Sequence, residues 1–271
     1  MDEKKILLFD YQMQISYECP VERMYVSIKG IPVSTDRQEI SILKLELLPK
    51  ISYSLGSDSF GNCKLYGHSE VPHQVFAYHI CGEAEIGQIL YEEDACPELI
   101  PVFRHPYGLN KAGSSLREYF AGLAPVLGEN DYLNAVYLMR RLYEDFTYKK
   151  GVTGTETSAE EAWQIGKGVC QDYAHILIAL CHMAGIPARY VTGMMIGEGQ
   201  SHAWVEILYA GKWIGLDPTN NLLIAERHIK ISHGRDASDC QINRGLLYGG
   251  GRQTQLVKAI VKEKETEDYI W

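Results

Sequence analysis

The stretch Gly168-Val169-Cys170-Gln171-Asp172-Tyr173-Ala174-His175 decides how this chain is read. A polar, glycine-bearing loop gives way here to the apolar run Ile176-Leu177-Ile178-Ala179-Leu180-Cys181-His182-Met183-Ala184, and Gly185 and Pro187 then supply the stop signal of a helix. Cys170 therefore falls at or near a helix N-terminus. The unpaired N–H groups and the helix dipole favour an anion there, and the thiolate, the nucleophilic form of cysteine, is an anion. A cysteine that only fills core belongs inside the apolar run, where Cys181 sits. Position alone still leaves structural filling as the commoner role of a cysteine; the sequence downstream tips the balance.

Downstream lie Ser201-His202-Ala203-Trp204-Val205-Glu206-Ile207-Leu208-Tyr209 and Trp213-Ile214-Gly215-Leu216-Asp217-Pro218-Thr219, two strand-like runs around Ala210-Gly211-Lys212. A two-residue loop at Ala210-Gly211 sets Tyr209 opposite Lys212 and Trp204 opposite Asp217. His202 then shares a face with Trp204 and is a diagonal neighbour of Asp217, roughly 7–8 Å away at the backbone. A one-residue slip would put the two on opposite faces. In this register Asp217 can fix the imidazole tautomer, and the free nitrogen of His202 can take the thiol proton of Cys170. His175 points to a different face of the Cys170 helix, and His182 lies about three turns along it.

The segments GVCQDYAHILIALCHMAGIPARYVTG and SHAWVEILYAGKWIGLDPTNN resemble the core of the transglutaminase-like superfamily, papain-like cysteine enzymes with a Cys-His-Asp triad. The resemblance places that triad on Cys170, His202 and Asp217. It extends to His228-Ile229-Lys230-Ile231 and Gly234-Arg235-Asp236, and, more weakly, to Asp58-Ser59-Phe60-Gly61-Asn62, which is similar to a D-x-F-G-N turn of the β domain preceding the core in bacterial members. One segment departs from the pattern: Asp239-Cys240-Gln241-Ile242-Asn243 lacks the proline expected near it.

The resemblance implies an α+β fold: a papain-like core, with a Cys-bearing helix packed on an antiparallel sheet, behind an N-terminal β-sandwich. It implies acyl transfer at a peptide or protein amide through a thioester, with a cysteine protease or amidase as the leading activity. A true transglutaminase with an amine acceptor, a non-catalytic interaction module on the same fold, and an arylamine acyltransferase are the alternatives; the intact triad counts against the module, and the motif surround against the last. Gln164, six residues before Cys170, and Tyr148 are rival second donors to an oxyanion beside the Cys170 N–H. For both, packing is the commoner role. No cofactor or metal is expected.

The rest of the chain frames that core. A length of 271 residues fits one large or two ordinary domains. With 46% hydrophobic and 23% charged residues, the composition is that of a globular protein with a substantial core. A net charge of −9 without a Lys/Arg run disfavours a nucleic-acid partner. No stretch is long enough to span a membrane, and Met1-Asp2-Glu3-Lys4-Lys5 leads into no signal peptide. The seven scattered cysteines, with no C-x-x-C, read as reduced thiols of a cytoplasmic protein rather than a disulfide scaffold.

Residues 5–92 alternate as strands, as in Leu7-Phe9-Tyr11-Met13-Ile15-Tyr17, and are read as the β-sandwich. The prolines and glycines between Pro97 and Gly113 place a boundary near residue 110, giving 1–110 as the β-rich domain and 111–271 as the catalytic domain. Ser114 or Ser115 is expected to cap one helix and Asp131 another, whose Leu133, Val136, Tyr137, Arg140 and Tyr143 recur at helical spacing. Glu160 and Glu161 open a third helix; the pair is read as a solvated face rather than a general acid. His68, His73 and His79 are read as ordinary histidines, Gly197-Glu198-Gly199-Gln200 as the turn delivering His202, and Gly249-Gly250-Gly251 as a hinge before a last strand.

Overall fold

The computed structural model describes residues 5–199 and 201–265; Met1–Lys4 and Gln200 of the expected turn lie outside the described residues. The first strands are β1 (Lys5–Ile28), β2 (Gln38–Leu48), β3 (Tyr53–Ser57), β4 (Cys63–Ser69), β5 (His73–Ile86) and β6 (Glu93–Asp94). Helices α1 (Ser114–Leu123) and α2 (Asp131–Asp145) follow, then β7 (Thr147–Tyr148), α3 (Ala159–Ile165), β8 (Lys167–Gly168) and α4 (Cys170–Met183). The chain continues through β9 (Ala188–Met195), β10 (Gly197–Gly199), β11 (His202–Tyr209), β12 (Lys212–Asp217), β13 (Leu222–Leu223), β14 (His228–Gly234), β15 (Asn243–Gly249) and β16 (Gln253–Glu263).

β1 organises the first sheet. Its alternation buries Leu7, Phe9, Tyr11, Met13, Ile15 and Tyr17, breaks at exposed Glu18-Cys19-Pro20, and resumes with Val21, Met24, Val26 and Ile28. The register slips against β5 between Ser16 and Val21 and against β15 between Val21 and Arg23. A proline that cannot donate to the ladder and a bulge turn one long strand into a corner. The first half of β1 lies between β5 and β16, the second half between β4 and β15. The β15–β16 connection turns the same corner on Gly249 and Gly250, both at φ 91°, a conformation glycine adopts without steric cost. The two layers of the expected sandwich are thus one antiparallel sheet folded over at a corner.

The expected division near residue 110 is crossed in both directions. β15 and β16, at the far end of the chain, complete the first sheet, while β6 pairs with β12 in the second. That second sheet runs β13-β12-β11-β9-β14. One face packs on α4, whose residues 173–181 are almost wholly buried, with α1, α2 and α3 around it; the other contributes Met194, Ile229 and Ile231 to the core of the first sheet.

The helices sit where the sequence puts them, but three details differ. The cap of α2 is Asn130, whose Oδ1 accepts from the Leu133 N–H at 3.0 Å, and not Asp131, which is the first residue of the helix. The core-facing stripe of α2 is Ala135, Leu138, Met139 and Leu142, whereas Leu133 and Tyr143 of the expected stripe are exposed. A stripe chosen by size of side chain picks amphipathic tyrosines that work equally well on the surface. α1 takes its cap from another helix: Glu160 accepts hydrogen bonds from the backbone N–H groups of Gly113, Ser115 and Leu116, at 2.9, 2.9 and 3.1 Å. Glu160 is therefore a helix cap, neither a general acid nor a freely solvated face, and Glu161 closes a capping box with Ser158.

Candidate active site

Cys170 is the first residue of α4, with Val169 as N-cap. The carboxylate of Asp172, in the helix's first turn, accepts from the Val169 N–H at 2.7 Å and from the Thr153 hydroxyl at 2.7 Å. This fixes the helix entry and, with it, the direction of the Cys170 side chain. Cys170 is half-buried and lines a cleft of about 490 Å³. Val169, Tyr190, Thr192 and His202 line it from the core, and Tyr11, Gln255 and Val257 from the first sheet.

The hairpin has the register that brings His202 to Asp217. Tyr209 pairs with Lys212 and Val205 with Leu216, and Ala210 and Gly211 take φ of 50° and 78°, the signature of a type I′ turn. His202 Nε2 lies 2.8 Å from Asp217 Oδ2. Cys170 and the same ring line one cleft, close enough for the cysteine to act on the imidazole's charge. Burial disfavours the His202 imidazolium, but the hydrogen bonds and charges of Asp217 and Cys170 outweigh it and raise its pKa to about 10. Asp217 is wholly buried; desolvation favours its neutral form, yet the hydrogen bonds from His202, His228 and Asn220 hold it well below the usual carboxylate range.

Asp217 does more than face His202. Its Oδ1 accepts from the N–H groups of Thr219 and Asn220 at 3.0 and 3.2 Å, and its Oδ2 from Asn220 Nδ2 at 2.7 Å. It both holds the imidazole and caps the turn before β13. His228 adds a bond to Oδ2 at 3.2 Å, and Trp204, fully buried, sets its ring edge-on to His228 at 5.4 Å. Gly193 underlies this packing, because a Cβ there would strike the Trp204 ring and the Ile229 carbonyl. His228 and Asn220 escaped the sequence reading; the only signal for His228 was its place in the segment with Gly234-Arg235-Asp236.

Neither rival donor lines the cleft. Gln164 turns to Glu160 and Ser115, at 3.0 and 3.4 Å, on the outer side of α3, and does not line the cleft. Tyr148 pairs through β7 with Gly168 in β8, two residues before Cys170. Burial raises its pKa, and the Cys170 charge adds to the effect. His175 is buried with Nε2 accepting from the Ala237 N–H, and His182 bonds the Phe103 carbonyl. His68 stacks on Tyr25 and His73 bonds Val71, so the three early histidines do not converge. Among the described residues, two groups present ligand-type atoms within 4.8 Å of one another: His202, Asp217 and His228 in the site, and Asp10, His79 and Cys81 on the first sheet.

The Asp58–Asn62 turn docks the first sheet onto the core. Asp58 Oδ1 accepts from the Phe60 and Asn62 N–H groups, and the Asn62 side chain exchanges hydrogen bonds with the backbone of His233 in β14 at 2.7 and 2.8 Å. Beside it a buried set of charges joins the sheets: Arg37 with Glu92, and Arg189 and Lys230 with Glu206 and Glu93.

A cysteine at a helix N-terminus, facing an imidazole on an antiparallel sheet, places the fold in the transglutaminase-like class. Residues 124–218 match the model of the transglutaminase-like superfamily. The solved structure of a candidate cysteine protease from Cytophaga hutchinsonii is similar over 98% of this chain and 93% of its own, with a TM-score of 0.76 at 21% identity, a likeness of fold. An uncharacterized protein of Mycobacterium tuberculosis is 37% identical over 127 residues, 41% of this chain. The match spans 40% of that relative's length. A protein-glutamine gamma-glutamyltransferase of Pseudomonas aeruginosa is 30% identical over 102 residues, which cover 32% of this chain and 15% of its own. Among the described residues no helix is long and apolar enough to cross a membrane.

Proposed function

We propose that the protein is a cysteine-dependent acyltransferase acting on amide bonds of peptides or proteins, with water as the usual acceptor. The observation that carries this reading is the His202 ring between Asp217, at 2.8 Å, and Cys170. In the proposed reaction the Cys170 sulfur attacks the amide carbonyl carbon and a C–S bond forms. The C–N bond then breaks as His202 delivers a proton to the leaving amine. Water, deprotonated by His202, attacks the thioester; the C–S bond breaks and the thiol is restored. Asp217 holds the ring and stabilises its charged form. The Cys170 N–H, one of the helix's first unpaired donors, and the Tyr148 hydroxyl receive the oxyanion.

The match to a gamma-glutamyltransferase favours a second acceptor, a primary amine, on the same intermediate. The seven free thiols fit a reducing compartment such as the cytoplasm. The test is to incubate the protein with a glutamine-rich polypeptide, with and without a fluorescent primary amine. New amino termini mark a protease, ammonia release an amidase, and amine incorporation a transglutaminase. Cys170→Ala should abolish all three without loss of fold. Iodoacetamide at pH 6 should label Cys170 ahead of exposed Cys19 and Cys96, because Cys170 starts α4 and shares its cleft with His202. Turnover by the Cys170→Ala protein would end the proposal.

A further inference from the structure

The cleft at Cys170 does not end at its rim. Gln241 and Asn243, which line it, also line a shallow groove of about 700 Å³ that runs over the outer face of the first sheet. Pairing fixes what that face presents. Tyr25 of β1 is opposite His68 of β4 and Leu246 of β15; Ser27 is opposite Tyr66 and Arg244; Arg23 is opposite Tyr248. Directly opposed residues share a face. Leu246 is 77% exposed, Tyr248 63% and Tyr25 59%, an apolar row that a water-facing sheet does not need for its own core.

Three further observations say what covers it. β15 pairs with β1 alone among the described residues, so its other edge is open to an added strand. Asn243, at the junction of cleft and groove, has a buried side-chain oxygen with no hydrogen-bond partner, an acceptor waiting for an N–H. The aromatic row is flanked by cations on a chain of net charge −9: Arg23 lies over Tyr248, Lys64 over Tyr66, and Arg244 lines the groove. The junction itself is the Asp239–Asn243 segment, the one stretch that departs from the family pattern.

We infer that this groove is the docking track for the polypeptide that carries the reacting amide: an extended segment, apolar and acidic in side chain, lying along β15 with one end in the cleft. Strand addition at the open edge of β15 supplies main-chain hydrogen bonds, and the side chains on the groove's face meet Leu246 and Tyr248 of β15 and, one strand further in, Tyr25. The inference rests on the amide-acyl reading for the identity of the occupant, but its binding step can be read without turnover.

The experiment uses the full chain carrying Cys170→Ala and a fluorescein-labelled dodecapeptide of alternating leucine and aspartate around one glutamine. Fluorescence anisotropy should show binding that Leu246→Asp and Tyr248→Glu each weaken at least tenfold, with melting temperatures confirming the fold. In the chain with its thiol, the same substitutions should lower kcat/KM for the dodecapeptide about tenfold relative to a blocked glutamine dipeptide. No binding by the Cys170→Ala chain, or equal binding by it and both variants, overturns the groove whatever the activity. A protein that is dimeric and becomes monomeric on Leu246→Asp assigns the face to a second copy and also overturns it. Peptide binding with no turnover of either substrate would instead count against the catalytic reading alone.

Discussion

His228 Nε2 stands 3.2 Å from Oδ2 of Asp217, the same oxygen that His202 reaches at 2.8 Å. The two imidazoles share a partner and move in opposite directions. Burial lowers the His228 pKa and the nearby His202 charge adds to this, against the pull of Asp217. His202 is raised to about 10. One ring is neutral and donates; the other carries the charge. His228 is a positioning residue for the carboxylate that positions His202. His228→Ala should lower kcat about tenfold with little change in KM, and His228→Gln, which keeps a donor, should restore most of it. Equal losses in both variants, with an equal fall in melting temperature, would leave His228 as packing.

Asp217→Asn separates the two duties of that residue. The amide keeps an oxygen for the Thr219 and Asn220 N–H groups, so the turn should survive, while control of the tautomer is lost. A fall in kcat of about 10²–10⁴ is expected, with KM within a few fold. The pH dependence of stability follows from the shifts. The His202 pKa of about 10 lies above its unfolded value near 6.5, so its stabilisation is complete below pH 6.5 and is lost as pH rises toward 10. Asp217 is depressed, so its share is present above about pH 4 and lost in acid. The melting-temperature gap between the parent and Asp217→Asn should be widest between about pH 4 and 6.5 and close toward pH 10.

Glu160→Ala removes the acceptor of three backbone N–H groups at the start of α1. The expected cost is about 1–2 kcal/mol in denaturant unfolding, with kcat unchanged. A loss of kcat without a loss of stability would return Glu160 to the chemistry.

The connection over residues 97–113 should resist proteolysis, although its prolines and glycines read as a linker. Phe103 is 1% exposed against Trp213, and Asn110 is wholly buried with its amide on the Arg235 carbonyl. Trypsin should cut first at Lys150, in the exposed turn before α3; mapping the first fragments by mass decides.

The site was largely legible because its geometry is local. A two-residue loop at Ala210-Gly211 fixes which face His202 and Asp217 share, and the helix entry at Cys170 is written in a dozen residues. What was not legible depends on pairing between distant residues. Nothing in the alternation of residues 253–263 says that they lie against Leu7–Tyr17 rather than beside β14, since either neighbour satisfies the same period. Glu160 looked like a solvated carboxylate because its partners lie 44 to 47 residues away. Gln164 had the right spacing from Cys170 along the chain, but the left-handed Gly166 turns the backbone between them.

The buried charges between the sheets bear on whether the Cys170-bearing segment is portable. Arg189, Lys230 and Glu206 belong to that segment, while Glu93 comes from before residue 110, as do Arg37 and Glu92. A chain begun at residue 111 would keep two buried cations against one carboxylate and also lose β6 from the second sheet's edge. Removing one partner of a buried ion pair costs on the order of 3–5 kcal/mol, a large share of the stability of a typical domain. Grafting the Cys170 segment onto another scaffold, or trimming the chain around it, therefore means carrying Glu93 along, the carboxylate that Arg189 and Lys230 share, whereas Arg37 and Glu92 leave as a pair.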